Sequence, residues 1–275
     1  MGGDGVTVLT RDRQRARQVL DSRVTCIESL DELHLPPEAI INLAGLSLGS
    51  GRWNAKRKQQ FIDSRVGTTR QLIDYITAAT PKPQVLISGS AVGYYGARGD
   101  EELSEESLPG DEYQSHLCQA WEAEALKAQP YGVRVCLSRS GVVLARRGGA
   151  LSSLIPQFKL GLGGYVGTGR QWMSWIHIED LLAIIRRLMT DTSLRGAFNS
   201  TAPNAERNRD FARKLAAALH RPAILWAPAW VLRLMVGEMA HLYVTGQRVL
   251  PKRLLAAGYR FRYPALEDAL AQVLA

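Results

Sequence analysis

The sequence predicts an α/β fold, with a doubly wound parallel sheet in the first half of the chain and a smaller region after it. Short apolar runs alternate with longer segments of helical periodicity, and several runs have the continuous aliphatic character of strands covered on both faces. These runs end in small or hydroxyl residues, as strands do where a sheet borders a crevice. We predict a first domain at 1–150 and a second at 151–275, of which about 173–200 returns to the main sheet.

The first half of the chain contains five predicted strands separated by helices. In chain order, the segments are a strand at Val6–Thr10, a helix at Arg11–Leu20, strands at Val24–Ile27 and Ala39–Gly45, a helix at Asn54–Ala79, a strand at Val85–Ile87, an acidic loop at Asp100–Glu112, a helix at Tyr113–Ala128 and a strand at Val133–Leu137. The long helix has apolar residues at helical spacing from Phe61 to Ile76.

The stretch Gln84–Gly96 is the strongest candidate for a site. Its aliphatic run breaks abruptly into small hydroxyl residues, glycines and two tyrosines. Ser88 and Ser90 therefore stand at the carboxyl end of a buried strand, where open α/β sheets place their ligands.

The second half begins with a loop at Arg146–Gly149 and continues with shorter elements. We predict a helix at Leu151–Leu160, a glycine-rich turn at Gly161–Gly167, a strand at Gln171–Ile176, a helix at His177–Met189, a strand at Gly196–Ser200, a helix at Arg207–Leu219, an apolar helix at Pro228–Tyr243 and terminal helices at Pro251–Ala256 and Pro264–Leu274.

Two tempting functional signals in this half are weak. The glycines at 161, 164 and 167 have the spacing of a dinucleotide fingerprint, but a helix precedes them and a strand follows, which is the reverse of the required order. Pro228–Tyr243 contains Arg233, Glu238 and His241 and is short for a membrane span. We therefore interpret the first as a turn and the second as a packed helix.

The composition limits the compartment and the partners. Three scattered cysteines favour neither disulfides nor a metal site, so we predict a cytoplasmic protein with no metal, and no secretory signal is visible. The net charge of +8 could indicate a nucleic-acid partner, but the basic residues are dispersed along the chain. We expect a small-molecule substrate, which the sequence does not identify. We expect no nucleic-acid partner and no membrane partner, and a homodimer remains open.

Several motifs, in order over nearly the whole chain, resemble extended short-chain dehydrogenase/reductases, specifically their atypical NAD(P)-binding "epimerase family protein" branch. The matching pieces are Asn42–Gly45, Arg52–Trp53, Ser64–Thr69, Ser88–Gly96, Trp121–Glu124, Arg139–Leu144, Trp175–Asp180, Gly246–Pro251 and Gly258–Phe261. The resemblance implies a Rossmann-like fold, an NADP(H) cofactor and a C-terminal region on the substrate side.

The chain departs from this family at its start. The family opens with a central strand and a glycine-rich turn that presents backbone N–H groups to the pyrophosphate, and no such unit precedes Val6. The start is then either misassigned or truncated, or it opens a protein with impaired cofactor binding. A sheet without this strand should have a gap between its neighbours.

A second departure concerns catalysis. The family uses a tyrosine four residues before a lysine that lowers the pKa of the phenol, and no tyrosine here has that partner. His116 and Cys118 stand near the expected tyrosine. Ser90 matches the family's catalytic serine or threonine, and Tyr94, His116 or bound water could relay a proton.

The resemblance also implies which residues contact the cofactor. Arg11, with Thr10, follows the strand that meets the adenosine ribose, where a guanidinium can bind the 2′-phosphate of NADP. Leu43, Ala44 and Gly45 end the next strand, and Gln60 and Arg65 lie on the helix behind it. Ser88 is assigned to the cofactor side of its strand, and Val143 to the nicotinamide ring. His177 and Asp180 are interpreted as structural.

Two functions remain after these comparisons of motif and chemistry. The first is an NADP(H)-binding oxidoreductase or epimerase-like protein, with Ser90 as its candidate catalytic residue. The second is a non-catalytic NADP(H)-binding sensor or interaction protein, which the absent tyrosine-lysine pair favours. The fold itself does not decide between them.

Overall fold

The structure is a computed structural model that describes residues 5–49, 51–146 and 148–275. The predicted N-terminal segment before Val6 and the loop at Arg146–Gly149 therefore fall partly outside the described residues. The strands are β1 (Thr7–Leu9), β2 (Thr25–Ile27), β3 (Ala39–Asn42), β4 (Val85–Ala91), β5 (Glu102–Leu103), β6 (Arg134–Ser140), β7 (Val142–Leu144), β8 (Gly164–Val166), β9 (Trp172–Met173), β10 (Trp175–His177), β11 (Gly196–Ser200), β12 (Glu206–Arg207), β13 (Leu225–Ala227) and β14 (Arg248–Val249).

Helices flank these strands along the whole described chain. They are α1 (Arg13–Val19), α2 (Ala55–Ile62), α3 (Thr68–Ala78), α4 (Tyr113–Leu126), α5 (Gly149–Lys159), α6 (Ile178–Thr190), α7 (Asn208–Ala218), α8 (Ala229–Val236), α9 (His241–Val244), α10 (Lys252–Ala256) and α11 (Leu266–Leu274).

The main sheet is parallel, with the strand order β11-β6-β4-β3. In register, Ala39 pairs with Val85, and Ser90 pairs with Arg139. Strand β11 pairs with β6, so the chain does return to this sheet after residue 173. The parallel direction follows from the alternation of strand and helix, because each parallel neighbour needs a crossover. The predicted α/β fold with a doubly wound, Rossmann-like sheet is confirmed.

Two apolar layers cover the faces of this sheet. On one face, Leu72 and Ile76 of α3 and Ala125 of α4 pack on strand residues that include Leu86. On the other face, α6 packs on Ile87 and its neighbours. Because successive residues of a strand point to opposite faces, a strand covered on both sides must be apolar throughout, as β4 is at Val85–Ile87.

Strands β1 and β2 form a separate parallel pair. Within the described part of the chain, no ladder joins β1 to β3. Ile41 is 44% exposed although it lies in a strand of the main sheet. The absence of a first strand stays a prediction.

The C-terminal region has its own apolar core, in which α7 and α11 pack together with α5. Two predictions for this region are wrong. The segment at Gly161–Gly167 is more than a turn, because Gly164–Val166 pairs with β13. The single helix predicted at Pro228–Tyr243 is broken into α8, one turn of 3₁₀ helix and α9, since Gly237 adopts a positive φ of 64°.

The acidic loop Asp100–Glu112 also contains an unpredicted strand. β5 pairs in parallel with β14, which lies about 145 residues later along the chain. No helix in the described residues has the length and apolar character needed to cross a membrane.

The loop before α11 is fastened to α6 by Asp180. Its carboxylate accepts hydrogen bonds from the backbone N–H groups of Arg262 and Tyr263, each at 2.9 Å, and from the Tyr259 hydroxyl at 3.1 Å. His177 is fully buried, and its Nδ1 accepts from the N–H of Glu179 at the start of the same helix. These contacts are structural, in agreement with the interpretation of His177 and Asp180 from the sequence.

We expect Asp180→Ala to destabilise the protein by about 2–4 kcal/mol, because it removes a buried carboxylate that accepts from two backbone N–H groups and from the Tyr259 hydroxyl, which keeps the carbonyl oxygen of residue 180 at 3.2 Å. Urea denaturation followed by circular dichroism measures this loss. Asp191→Ala, at the exposed other end of α6, is the matched control and should cost less than about 1 kcal/mol. Equal losses in the two variants would contradict the assigned role of Asp180.

Candidate active site

The carboxyl ends of β3, β4 and β6 meet at one edge of the main sheet, at Asn42, Ala91 and Ser140. In an open parallel sheet this edge borders the crevice where ligands bind. The candidate site is therefore built from the turns that follow these strands and from the helices α2 to α4.

The turn after β3 consists of residues that let another group approach its backbone closely. The N–H of Ala44 donates to Asn42 Oδ1 at 3.2 Å, and Asn42 in turn donates to Thr69 at 2.8 Å, which fixes the turn to α3. Leu43 is 59% exposed at this turn. A side chain at Gly45 would place its Cβ 2.9 Å from Cζ of Arg65, so any larger residue here would displace that guanidinium.

Arg65 is a largely buried cation at this turn. Its Nη1 donates to the carbonyl oxygens of Leu46 at 3.0 Å and Phe61 at 3.5 Å, and its guanidinium lies 5.3 Å from the ring centre of Trp121. Within the described residues no carboxylate forms an ion pair with it. Burial lowers the pKa of Arg65 from its ordinary value. A buried cation without an acidic partner is costly unless an anion accompanies it.

A widened helical turn places Arg65. The predicted helix at Asn54–Ala79 is continuous from its N-cap Asn54, but Asp63–Gly67 forms a π-helical turn between α2 and α3. Such turns are frequent at functional sites. Gln60 lies on α2 before this turn, exposed, with its Oε1 accepting from Arg57 at 3.4 Å.

Thr10 and Arg11 lie between β1 and α1. Asp12 is the N-cap of α1, so Arg11 precedes the helix that we predicted it to begin. The Arg11 side chain is exposed, and the Thr10 hydroxyl accepts from the N–H of Asp12 at 3.2 Å. Their assignment to the cofactor stays a prediction.

Ser88 and Val143 have little free surface. The Ser88 hydroxyl is fully buried and donates to the carbonyl of Gly89 at 3.3 Å, so its side chain presents no exposed atom to a ligand. Val143 is half-buried in β7 and packs against the apolar layer that contains α6. Both assignments to the cofactor remain predictions.

Ser90 belongs to a buried network of charged groups. Its hydroxyl donates to Glu122 Oε1 at 2.6 Å. Arg139 donates two hydrogen bonds to the same carboxylate, from Nε to Oε1 at 2.8 Å and from Nη2 to Oε2 at 2.7 Å. The side chains of Arg139 and Glu122 are only 5% and 7% exposed, so this ion pair is almost wholly removed from water.

Two tyrosines enclose Arg139. The ring centre of Tyr94 lies 3.5 Å from its guanidinium carbon, and Nη1 donates to the Tyr95 hydroxyl at 3.0 Å. Tyr95 then donates to Asn199 Oδ1 at 2.6 Å. Burial raises the pKa of Tyr95 to about 12, so its phenol is protonated at neutral pH and is not a base.

Cys118 and Glu122 lie one turn apart on α4, facing Ser90. Burial, with the nearby charge of Glu122, raises the pKa of Cys118 to about 11, so the thiol is protonated at neutral pH. His116 instead lies at the surface, where its Nε2 contacts Asp111 at 2.9 Å. Of the two residues near the expected tyrosine, Cys118 is thus the one beside Ser90.

A cavity of about 410 Å³ opens between the amino end of α4 and the C-terminal region. Trp53, Tyr113 and Gln114 line one side, and Arg233 and His241 line the other. The amide of Gln114 and Nδ1 of His241 lie 3.2 Å apart. A larger cavity, of about 530 Å³, lies at the opposite ends of α3 and α4 near Tyr131, away from the carboxyl edge of the strands. The smaller cavity is therefore the better candidate for a substrate.

Sequence reasoning missed Glu122, Tyr95 and Asn199 as members of the site. One signal was available, since Arg139 is a charged residue close behind the predicted buried strand at Val133–Leu137, where a buried charge must have a partner. That signal does not say which carboxylate the partner is.

Comparisons with known proteins agree with this geometry. A model of the NAD dependent epimerase/dehydratase family matches residues 2–199, and a model of a domain of unknown function, DUF1731, matches residues 227–273. The epimerase family protein YfhF of Bacillus subtilis is 39% identical, over 99% of this chain and 91% of its own length. The chloroplastic SDR39U1 homologue of Arabidopsis thaliana is 38% identical, over 98% of this chain and 79% of its own length.

Solved structures with a similar fold include proteins of the same kind. The crystal structure of human epimerase family protein SDR39U1 with NADPH superposes with a TM-score of 0.88 and 34% identity, over 98% of this chain and 91% of that one. UDP-galactose 4-epimerase superposes with a TM-score of 0.73 at 16% identity, over 98% of this chain and 89% of that one, a likeness that concerns the fold alone.

Proposed function

The chain belongs to the NAD dependent epimerase/dehydratase family, and on that premise we propose that it is an NADP(H)-binding oxidoreductase or epimerase-like enzyme that acts on a small molecule. The fold, the similarity to a human protein solved with NADPH and the character of the sheet edge support this proposal. We further place it in the cytoplasm, since three buried free cysteines suit a reducing compartment.

The observation that carries the proposal is Arg65 beside Gly45. Among the described residues, the hydrogen bonds of this largely buried guanidinium go to carbonyl oxygens, and the absence of a side chain at Gly45 lets the guanidinium lie against the backbone of the turn. A phosphate group of the cofactor would supply the missing negative charge and accept paired hydrogen bonds. The residues present therefore fit an anionic dinucleotide.

The cofactor would be held by the turn Leu43–Gly45 and by Arg65, with Arg11 toward a 2′-phosphate. When bound, NADP(H) supplies or accepts the hydride. The protein's own part is to orient both reactants and to supply or accept the proton.

The proton chemistry follows from the buried network. Glu122 accepts a hydrogen bond from the Ser90 hydroxyl and holds it in one orientation, while Arg139 neutralises the carboxylate. Tyr95 and Cys118 stay protonated at neutral pH, so neither replaces the phenolate of the usual tyrosine-lysine pair. Ser90 is the candidate contact with the substrate, and the cavity between α4 and the C-terminal region would admit it.

Turnover decides between an enzyme and a binding protein. Purified protein with NADPH and a library of small carbonyl compounds, and with NADP⁺ and the matching alcohols, should show a change at the absorbance of the reduced nicotinamide for at least one compound. Saturable NADPH binding with no turnover of any compound would instead support the sensor.

We expect Arg11→Gln to reduce the preference for NADPH over NADH about tenfold, because a charge-assisted bond to the 2′-phosphate contributes about 1.5 kcal/mol or more. Parallel titrations of both cofactors measure the ratio of dissociation constants. Arg15→Gln, an exposed arginine on the same α1 segment, is the control and should leave the ratio unchanged. An unchanged ratio in Arg11→Gln would remove this residue from the site.

A further inference from the structure

Large apolar side chains stand exposed together in the C-terminal region. Their exposed fractions run from 42% at Leu225 to 78% at Ile224, and helix α8 has no buried side chain. The members of this apolar face are Leu160, Leu162, Ile224, Leu225, Trp226, Trp230, Leu234 and Met235. Contiguous exposed apolar surface on this scale marks an interaction site more often than a chance exposure.

The fold brings the members of the apolar face together. The ladder between β8 and β13 sets the segment at 160–162 beside the segment at 224–226, since the N–H of Leu225 donates to Gly163 at 3.3 Å. Helix α8 follows β13 after one proline. Trp230 and Leu234 are four residues apart and so lie on one side of that helix.

The two chain segments that supply the apolar face contain basic residues and no carboxylate side chain. No aspartate or glutamate occurs between Glu124 and Glu179, nor between Asp210 and Glu238, and these two segments supply every member of the face. They also supply Lys159 and Arg221, which lie close together, because Arg221 Nε donates to the Lys159 carbonyl at 3.0 Å. Arg233 adds an exposed cation on α8.

We propose that the apolar face docks on an anionic lipid bilayer, with α8 lying in the plane of the interface. Tryptophan is enriched at the boundary between headgroups and acyl chains, and basic residues attract anionic headgroups. With eight residues, α8 is far too short to span a bilayer, but short apolar elements insert shallowly. Our expectation of no membrane partner rested on the missing span, which shallow docking does not need.

A second copy of the chain fits this surface less well. Two apolar faces related by a two-fold axis would set Lys159, Arg221 and Arg233 of one copy near the same residues of the other, with no carboxylate in either contributing segment to offset them. Like charges at an interface oppose association. Charge complementarity therefore favours an anionic surface.

Co-sedimentation with vesicles tests the proposal on the full chain. Wild-type protein should bind vesicles of phosphatidylcholine mixed with phosphatidylglycerol, with a blue shift of tryptophan fluorescence, and should bind pure phosphatidylcholine much less. Trp230→Gln with Leu234→Gln should lower the partition coefficient at least about tenfold. Lys159→Glu with Arg221→Glu should lower it more than about tenfold on the mixed vesicles.

The control is Leu35→Gln with Leu108→Gln, which removes two leucines that are 80% and 74% exposed outside the apolar face, and it should bind like wild type. Circular dichroism checks that each variant folds. Equal vesicle binding by the face variants and this control would overturn the proposal. So would sedimentation equilibrium showing a dimer that Trp230→Gln with Leu234→Gln dissociates, in a protein that binds no vesicles.

Discussion

Arg65→Gln is expected to weaken NADPH binding by about tenfold to a hundredfold while leaving the stability of the free protein nearly unchanged. A charge-assisted bond to a phosphate contributes about 1.5–3 kcal/mol. Without the cofactor this largely buried guanidinium has no acidic partner among the residues that the structure describes, so its removal relieves a desolvation cost and sacrifices one good carbonyl contact. Isothermal titration with NADPH and thermal denaturation of the free protein measure the two quantities.

Arg70→Gln is the matched control for this prediction. Arg70 lies little more than a turn further along the same helical segment, but its side chain is 61% exposed and contacts Glu124 at 3.5 Å. It should bind NADPH like the wild type. If Arg65→Gln also binds NADPH like the wild type, or if it simply unfolds the protein, the anion site assigned to Arg65 does not exist.

Glu122→Gln is expected to destabilise the protein by about 3–5 kcal/mol, because it leaves Arg139 as an uncompensated buried charge and replaces the carboxylate oxygen that Arg139 Nη2 contacts with an NH₂ donor. Urea denaturation measures the loss. Glu122→Gln with Arg139→Met removes both charges and should recover much of it, since the cost arises from the unpaired ion.

Glu124→Gln separates this effect from the loss of any carboxylate on α4. Glu124 is also buried, but its partners Arg70 and Lys127 have side chains about 60% exposed and can turn to water. We expect a cost of about 1 kcal/mol or less. A Glu122→Gln variant no less stable than Glu124→Gln would show that the network does not hold the site together.

The main sheet was predictable because its strands carry their own signal. Val85–Ile87 is a continuous apolar run and Val133–Leu137 is apolar except for Arg134, and each lies in or overlaps a strand of the sheet. The helix at Asn54–Ala79 was predictable from its periodicity, and its cap Asn54 is where the structure begins it. A local sequence pattern is enough to predict an element where the whole element is buried against its neighbours.

Other features depend on partners far along the chain. The pairs β5–β14 and β8–β13 consist of strands of two or three residues, too short for a periodic pattern, and their pairing is decided by tertiary packing. The π-helical turn at Asp63–Gly67 likewise leaves the apolar spacing of its helix nearly intact, so nothing local distinguishes it.

The candidate site was predictable in position more than in composition. Its place at the ends of β3 and β4 follows from strand chemistry, and Gly45 and Arg65 do come together there. The partner of Ser90 was not predictable, because Glu122 stands among alternating charged and small residues that suggest a solvated helix face, whereas the structure buries it against Arg139.

The most direct test of the cofactor site is a titration of the purified chain with NADPH, followed by the fluorescence of the reduced nicotinamide. The account predicts a saturable change with one site per chain, tighter for NADPH than for NADH and weakened in Arg65→Gln. A linear response without saturation in wild-type protein shown to be folded by circular dichroism would contradict it.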